Sequence, residues 1–165
     1  MSSKFYVYRV SSDSAAEIYI TAVTDPSMTL SRQAEDIYSK FSDFLKKENA
    51  SVFMERIFGK QDIFTTVSKI RTQKFSDFVD GVQPAHLVCK DNTKIPFAGV
   101  QIHAIASENA TRTVAVDGRK LGRFFSCNTH KILSLSGVTA SEKTDPAEQS
   151  KQMLELAEAA INQFG

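Results

Sequence analysis

The chain has 165 residues, 42% hydrophobic and 24% charged, with a formal net charge of +1. That length suits one domain, or one domain with part of another. The balanced charge argues against nucleic acid or an anionic membrane surface as a partner. No apolar run approaches the roughly 18 residues of a membrane span. The start, Met-Ser-Ser-Lys-Phe-Tyr, lacks the apolar region of a signal peptide, so a cytoplasmic protein is expected. Cys89 and Cys127 lie in separate segments without metal or redox spacing and read as small reduced core residues. The sequon at Asn109-Ala110-Thr111 reads as chance without a secretory signal.

Residues 4–10 are aromatic and β-branched and predict a strand. Residues 17–23 predict its hairpin partner. Asp25-Pro26-Ser27 ends the hairpin. A helix follows over 29–48, with Leu30, Ala34, Ile37, Phe41 and Phe44 forming one stripe at helical spacing. Residues 51–58 read as a strand stopped by Gly59. A second helix runs over 62–75, with Asp62 as N-cap and Ile63, Val67 and Ile70 on one face. Gly81-Val82-Gln83-Pro84 breaks it. Residues 85–90 form a short strand, 91–94 turn the chain, and 97–107 form the longest strand. Its Val100, Ile102, Ala104 and Ala106 alternate with Gln101, His103 and Ile105, as in a strand with one packed face.

The character changes over 108–122, a polar and basic stretch read as a linker between a complete unit (4–107) and a partial one (123–165). Residues 124–128 and 131–139 predict a hairpin turned at Thr129-His130. Thr144-Asp145-Pro146 starts a helix, with Pro in its first turn. Met153, Ala157, Ala160 and Phe164 share one face of it. Hairpin, turn and amphipathic helix thus occur twice, as a repeat of pattern rather than of residues. The second copy stops at Gly165, half built.

Pro84-Ala85-His86-Leu87-Val88-Cys89, followed by Val100-Gln101-Ile102-His103-Ala104-Ile105-Ala106, resembles the paired strand motifs of the RidA/YjgF family. Leu45-Lys46-Lys47-Glu48-Asn49-Ala50-Ser51 looks like that family's helix-to-strand join. The resemblance spans about residues 4–107. It implies an α+β, chorismate-mutase-like β-β-α-β-α-β-β sheet with helices on one face, assembled as a trimer with pockets between subunits. Gly118-Arg119 through residue 141, with the Ser136-Gly137 step, is similar to the entry of the second half in tandem, chorismatase-like relatives.

The family's deaminases bind a substrate carboxylate through an arginine fork and position water with a glutamate. At the matching positions this chain has His86 and His103, which argues against the classical deaminase reaction. On strands the family pairs as neighbours, the two imidazoles are candidates for an acid–base pair. The plainer reading makes them polar residues of a vestigial pocket or subunit contact. A metal site lacks a third ligand, His130 lies in a turn, and no cofactor is expected. Arg119 and Arg123 are candidate replacements for the missing anion-binding arginine, with solvated charge as the plainer reading. Ser136 and Gly137 are candidates to present a backbone N–H to an oxyanion. Two functions follow. One is binding, with or without hydrolysis, of a small carboxylated metabolite in a cleft between the two units. The other is a non-catalytic homo-oligomeric or partner-binding protein. The family's ribonuclease and translation-inhibitor labels find no support in the charge balance.

Overall fold

The computed structural model describes residues 2–12, 14–89, 95–109, 111–127, 131–140 and 142–164. The chain runs β1 (Lys4–Ser11), β2 (Ala16–Val23), α1 (Leu30–Lys47), β3 (Ala50–Gly59), α2 (Phe64–Lys74), β4 (Ala85–Val88) and β5 (Phe97–Ala106). It continues with β6 (Arg112–Val116), β7 (Arg119–Ser126), β8 (Lys131–Leu135) and α3 (Pro146–Ile161). The class is α+β. Through β5 the order is the β-β-α-β-α-β-β expected from the sequence.

Strands β1 to β5 form one sheet in the order β1-β2-β5-β3-β4. All neighbours are antiparallel except β3 and β4. β1 and β2 pair without interruption from Lys4↔Val23 to Ser11↔Ala16. Gly99 on β5 has φ +154, and a Cβ there would meet the Ala22 carbonyl oxygen at 2.1 Å. Only glycine allows that approach of β2 to β5.

Helices α1 and α2 cover one face. Ala34, Ile37, Phe41 and Leu45 of α1 are fully buried against Ile18, Ile20, Ile57 and Ile102. Of the expected stripe, Leu30 and Phe44 are only partly buried, while Tyr38 and Leu45 complete it. Asn49, at φ 48, turns the chain out of α1 in the left-handed conformation that asparagine tolerates. Between Val52 and Met54 the β3 register shifts against β5. This bulge sends Phe53 to the face away from the helices, while Glu55 returns to the helix side.

The C-terminal part contains the expected hairpin, β7 with β8, and the expected helix α3, and adds a strand before them. The stretch 108–122, read as a linker, carries β6 and the start of β7. The result is a separate antiparallel sheet in the order β6-β7-β8. Asp117 and Gly118, both at positive φ, make the tight turn between β6 and β7. α3 begins at an Asp145 cap, whose carboxylate accepts from Ala147 N–H, and buries Leu156 and Ala160. Phe125 of β7 packs on Phe53 and Ile105, so the small sheet covers one end of the helix-free face.

Candidate functional site

The helix-free face of the large sheet carries its polar side chains in rows that follow strand pairing. One row reads Tyr6, Thr21, Gln101, Arg56 and Ala85 across the five strands. The next reads Tyr8, Tyr19, His103 and Met54. Between them lies a cleft of about 270 Å³ lined by Tyr19, Thr21, Met54, Arg56, Gln101 and His103. Alternation along each strand, with the bulge resetting the phase of β3 before Met54, puts these residues on one face.

His103 is nearly buried and stacks on Tyr19, with ring centroids 4.4 Å apart. Phe53 meets it edge-on at 5.2 Å. Its Nε2 lies 2.9 Å from Glu17 Oε2, off the line of an in-plane hydrogen bond. Tyr19 donates its hydroxyl to the same Glu17 oxygen at 2.8 Å. Burial lowers the His103 pKa below its ordinary value; Glu17 opposes the shift and the Arg56 charge adds to it. The ring is therefore neutral at pH 7. The hydrogen bond to Glu17, then burial, raises Tyr19.

Arg56 is exposed at the mouth of the cleft and makes no hydrogen bond or ion pair with another described residue. Beside it, Gln101 donates to Thr21 Oγ1 at 3.3 Å. A guanidinium, an amide and the Thr21 hydroxyl thus converge on a half-enclosed space, the Tyr19 hydroxyl being spent on Glu17. Guanidinium, amide and hydroxyl groups are hydrogen-bond donors to oxyanions in general.

The expected His86–His103 pair does not form. β3 lies between β4 and β5, so their strands are not neighbours. His86 pairs with Ile57 on the helix side, where its ring stacks on Phe64 at 4.1 Å. His103 points to the opposite face. Two imidazoles separated by a sheet cannot share a substrate. Burial lowers the His86 pKa as well. Also on the helix side is a buried cluster in which Glu55 accepts from Tyr38 Oη at 2.9 Å and from Arg71 Nε at 2.8 and 3.0 Å.

Arg123 does not wait for an anion. It is buried, and its Nε and Nη2 hold Asp80 at 2.6 and 2.7 Å. Burial would raise the Asp80 carboxyl, but Arg123 and the Val82 N–H outweigh it and hold the carboxyl low. Arg119 donates to the Thr139 carbonyl at 2.9 Å. Ser136 donates its N–H to Leu121 O and its hydroxyl to Gln83 O. Its N–H is thereby already engaged, and Gly137 packs against Gln83 in the left-handed conformation, at φ +71. Arg123, Ser136 and Gly137 fasten the small sheet to the segment before β4, Arg119 ties β7 to Thr139 within the C-terminal part, and none of the four lines the Arg56 cleft. His130 lies outside the described residues, as do the 91–94 turn and part of the sequon. A wider groove of about 810 Å³, where the two sheets meet, is lined by Lys46, Asp77, Asp80 and Arg112 among others. It holds no expected site residue. Among the described residues no cluster of His, Cys, Asp or Glu is arranged to hold a metal ion. No described helix is long and apolar enough to cross a membrane.

Arg56, Gln101, Tyr19 and Glu17 were not singled out in the sequence. The signal was present as alternation within residues 17–23 and 51–58, but joining them needs the strand order.

No family model matches the chain, and no curated protein matches it. Among solved structures it is similar to one described as "a putative translation initiation inhibitor from Salmonella typhimurium". Identity is 15%, coverage 61% of this chain and 96% of that one, and the TM-score 0.40. It is also similar to an uncharacterized protein from Pseudomonas aeruginosa, at 17% identity, 62% and 98% coverage and TM-score 0.36. Likeness at this level carries nothing about ligand or reaction.

Proposed function

We propose that this protein binds a small carboxylated metabolite in the cleft on the helix-free face, with Arg56 as the anion anchor. The observation that supports the reading is the Arg56 guanidinium, exposed beside Gln101 and without an anionic partner among the described residues. An unpaired fork at the mouth of a cleft favours a planar anion, which it grips through two parallel N–H···O bonds. Gln101 and Thr21 supply further donors, and the Tyr19–His103 stack supplies a flat apolar wall. The cleft volume suits a molecule of metabolite size rather than a polymer.

The test is a titration of the protein with small mono- and dicarboxylates, followed by calorimetry and by amide chemical shifts on β2, β3 and β5. At least one acid is expected to bind and to shift the signals of Arg56, Gln101 and Tyr19. Arg56→Gln is expected to weaken that acid about tenfold or more, the value of one charged hydrogen-bonding partner. Absence of shifts on this face, or equal affinity in the variant, would overturn the reading.

A further inference from the structure

We propose that β1 is a pairing edge through which two copies of this chain join, antiparallel about Val7, into one continuous sheet. The proposal does not depend on the ligand of the Arg56 cleft.

β1 is the outermost strand, and among the described residues nothing pairs with its far side. Its hydrogen-bonding phase follows from the hairpin. Ser12 N–H donates to Ala15 O at 2.8 Å. Antiparallel pairs alternate between bonded and non-bonded, and the β1–β2 register is unbroken. Val10, Tyr8, Tyr6 and Lys4 therefore spend their N–H and C=O groups on β2. Phe5, Val7, Arg9 and Ser11 turn theirs to the open edge.

Natural sheets blunt such edges with prolines, bulges, inward charges or very short strands. The opposite edge follows that rule, since β4 is only four residues long. β1 does not. It is eight residues, contains no proline or bulge, and exposes Tyr6 (56%), Tyr8 (68%) and Val10 (46%). Its central charge, Arg9, is folded back onto Glu48 at 2.5 Å.

The strand is complementary to itself. In antiparallel register about Val7, Val7 meets Val7 of the second copy, and Phe5 meets Arg9 on either side. These are the residues whose backbone groups point outward. Tyr6 falls opposite Tyr8, giving an aromatic pair on each side of the axis, a favourable cross-strand combination. Lys4 falls opposite Val10. Neither cation of β1 faces another cation, so the pairing carries no like-charge penalty. A two-fold axis perpendicular to the sheet closes the assembly at two chains, because each β1 edge is used up. The helix-free faces then lie on the same side, with tyrosines of both copies lining the seam.

The mass of the full chain, measured by light scattering across a concentration series, tests this. A two-chain mass that dissociates on dilution is expected. Val7→Pro removes the outward N–H at the symmetry centre and leaves the β1–β2 bonds intact, a place where an edge strand accepts proline. It is expected to give a single-chain mass with an unchanged circular dichroism spectrum. Should that variant fail to fold, Val7→Cys decides. Paired residues of this kind sit about 5.5 Å apart at Cα, within the span of a disulfide. Mild oxidation should therefore yield a linked two-chain band that the parent protein and Val23→Cys lack. A single-chain mass at every concentration, a three-chain mass, a folded Val7→Pro that still pairs, or an unlinked Val7→Cys would each overturn the proposal.

Discussion

At the level of single residues, burial assigns roles that residue type alone does not. Arg56 and Arg123 are the same side chain on adjacent layers. One is exposed beside a cleft and the other is buried on a carboxylate. The sequence offers Arg123 as the freer of the two, because it sits in a basic, glycine-flanked stretch, whereas Arg56 sits inside an apolar strand. The histidines show a measurable consequence. Burial lowers both His86 and His103 below the usual 6.5. As pH falls through that value the unfolded chain takes up protons that the folded chain refuses, so stability falls with pH. The contribution is complete above the unfolded value and is lost on the acid side. Asp80 acts in the same direction, but its window begins only below 3.8. The melting temperature is therefore expected to fall between pH 7.5 and 5. The slope should be shallower in His103→Gln, and calorimetric scans at stepped pH check this. An equal slope in the variant would remove His103 from the account.

Among the elements, α1 was the most legible. Its apolar stripe recurs every three or four residues, and only tertiary context added Tyr38 and Leu45 to it. β6 was the least legible, being five residues with one buried side chain, Val114, in a polar stretch. Strand order was not legible at all, and the expected His86–His103 pair failed on it, since periodicity states which face a residue takes but not which strand lies beside it. The element that joins the two sheets is the segment just before β4. Asp80 grips Arg123, its carbonyl accepts from Lys120, and Gln83 accepts from Ser136. Asp80→Ala leaves Arg123 buried without its counter-charge. The expected cost is about 2–3 kcal/mol, below that of a fully buried pair because Asp80 is 32% exposed. Limited trypsin digestion should then cut within residues 112–126 faster than in the parent. Lys46→Ala breaks only the exposed pair with Asp77 and should leave the digestion pattern unchanged.

Considered whole, the molecule has a sheet that puts a helical layer on one side and leaves the other for contact. The small sheet occupies one end of that open side through Phe125, and the Arg56 cleft lies on the same side. The arrangement hangs on β5. It is the last strand of the large sheet to be synthesised, yet it lies between β2 and β3. The hairpin of residues 4–23 has no bond to β3 except through it. The hairpin meets α1 through Phe5 on Phe41 and Arg9 on Glu48, but its strand pairing to the rest of the sheet is not available until β5 has been made. Only then does the strand slot between β2 and β3 and close the core. Late insertion of a central strand makes for slow, long-range folding, and it leaves the facing edges of β2 and β3 unpaired in the interval. Unpaired strand edges of this kind invite aggregation until the central strand is in place.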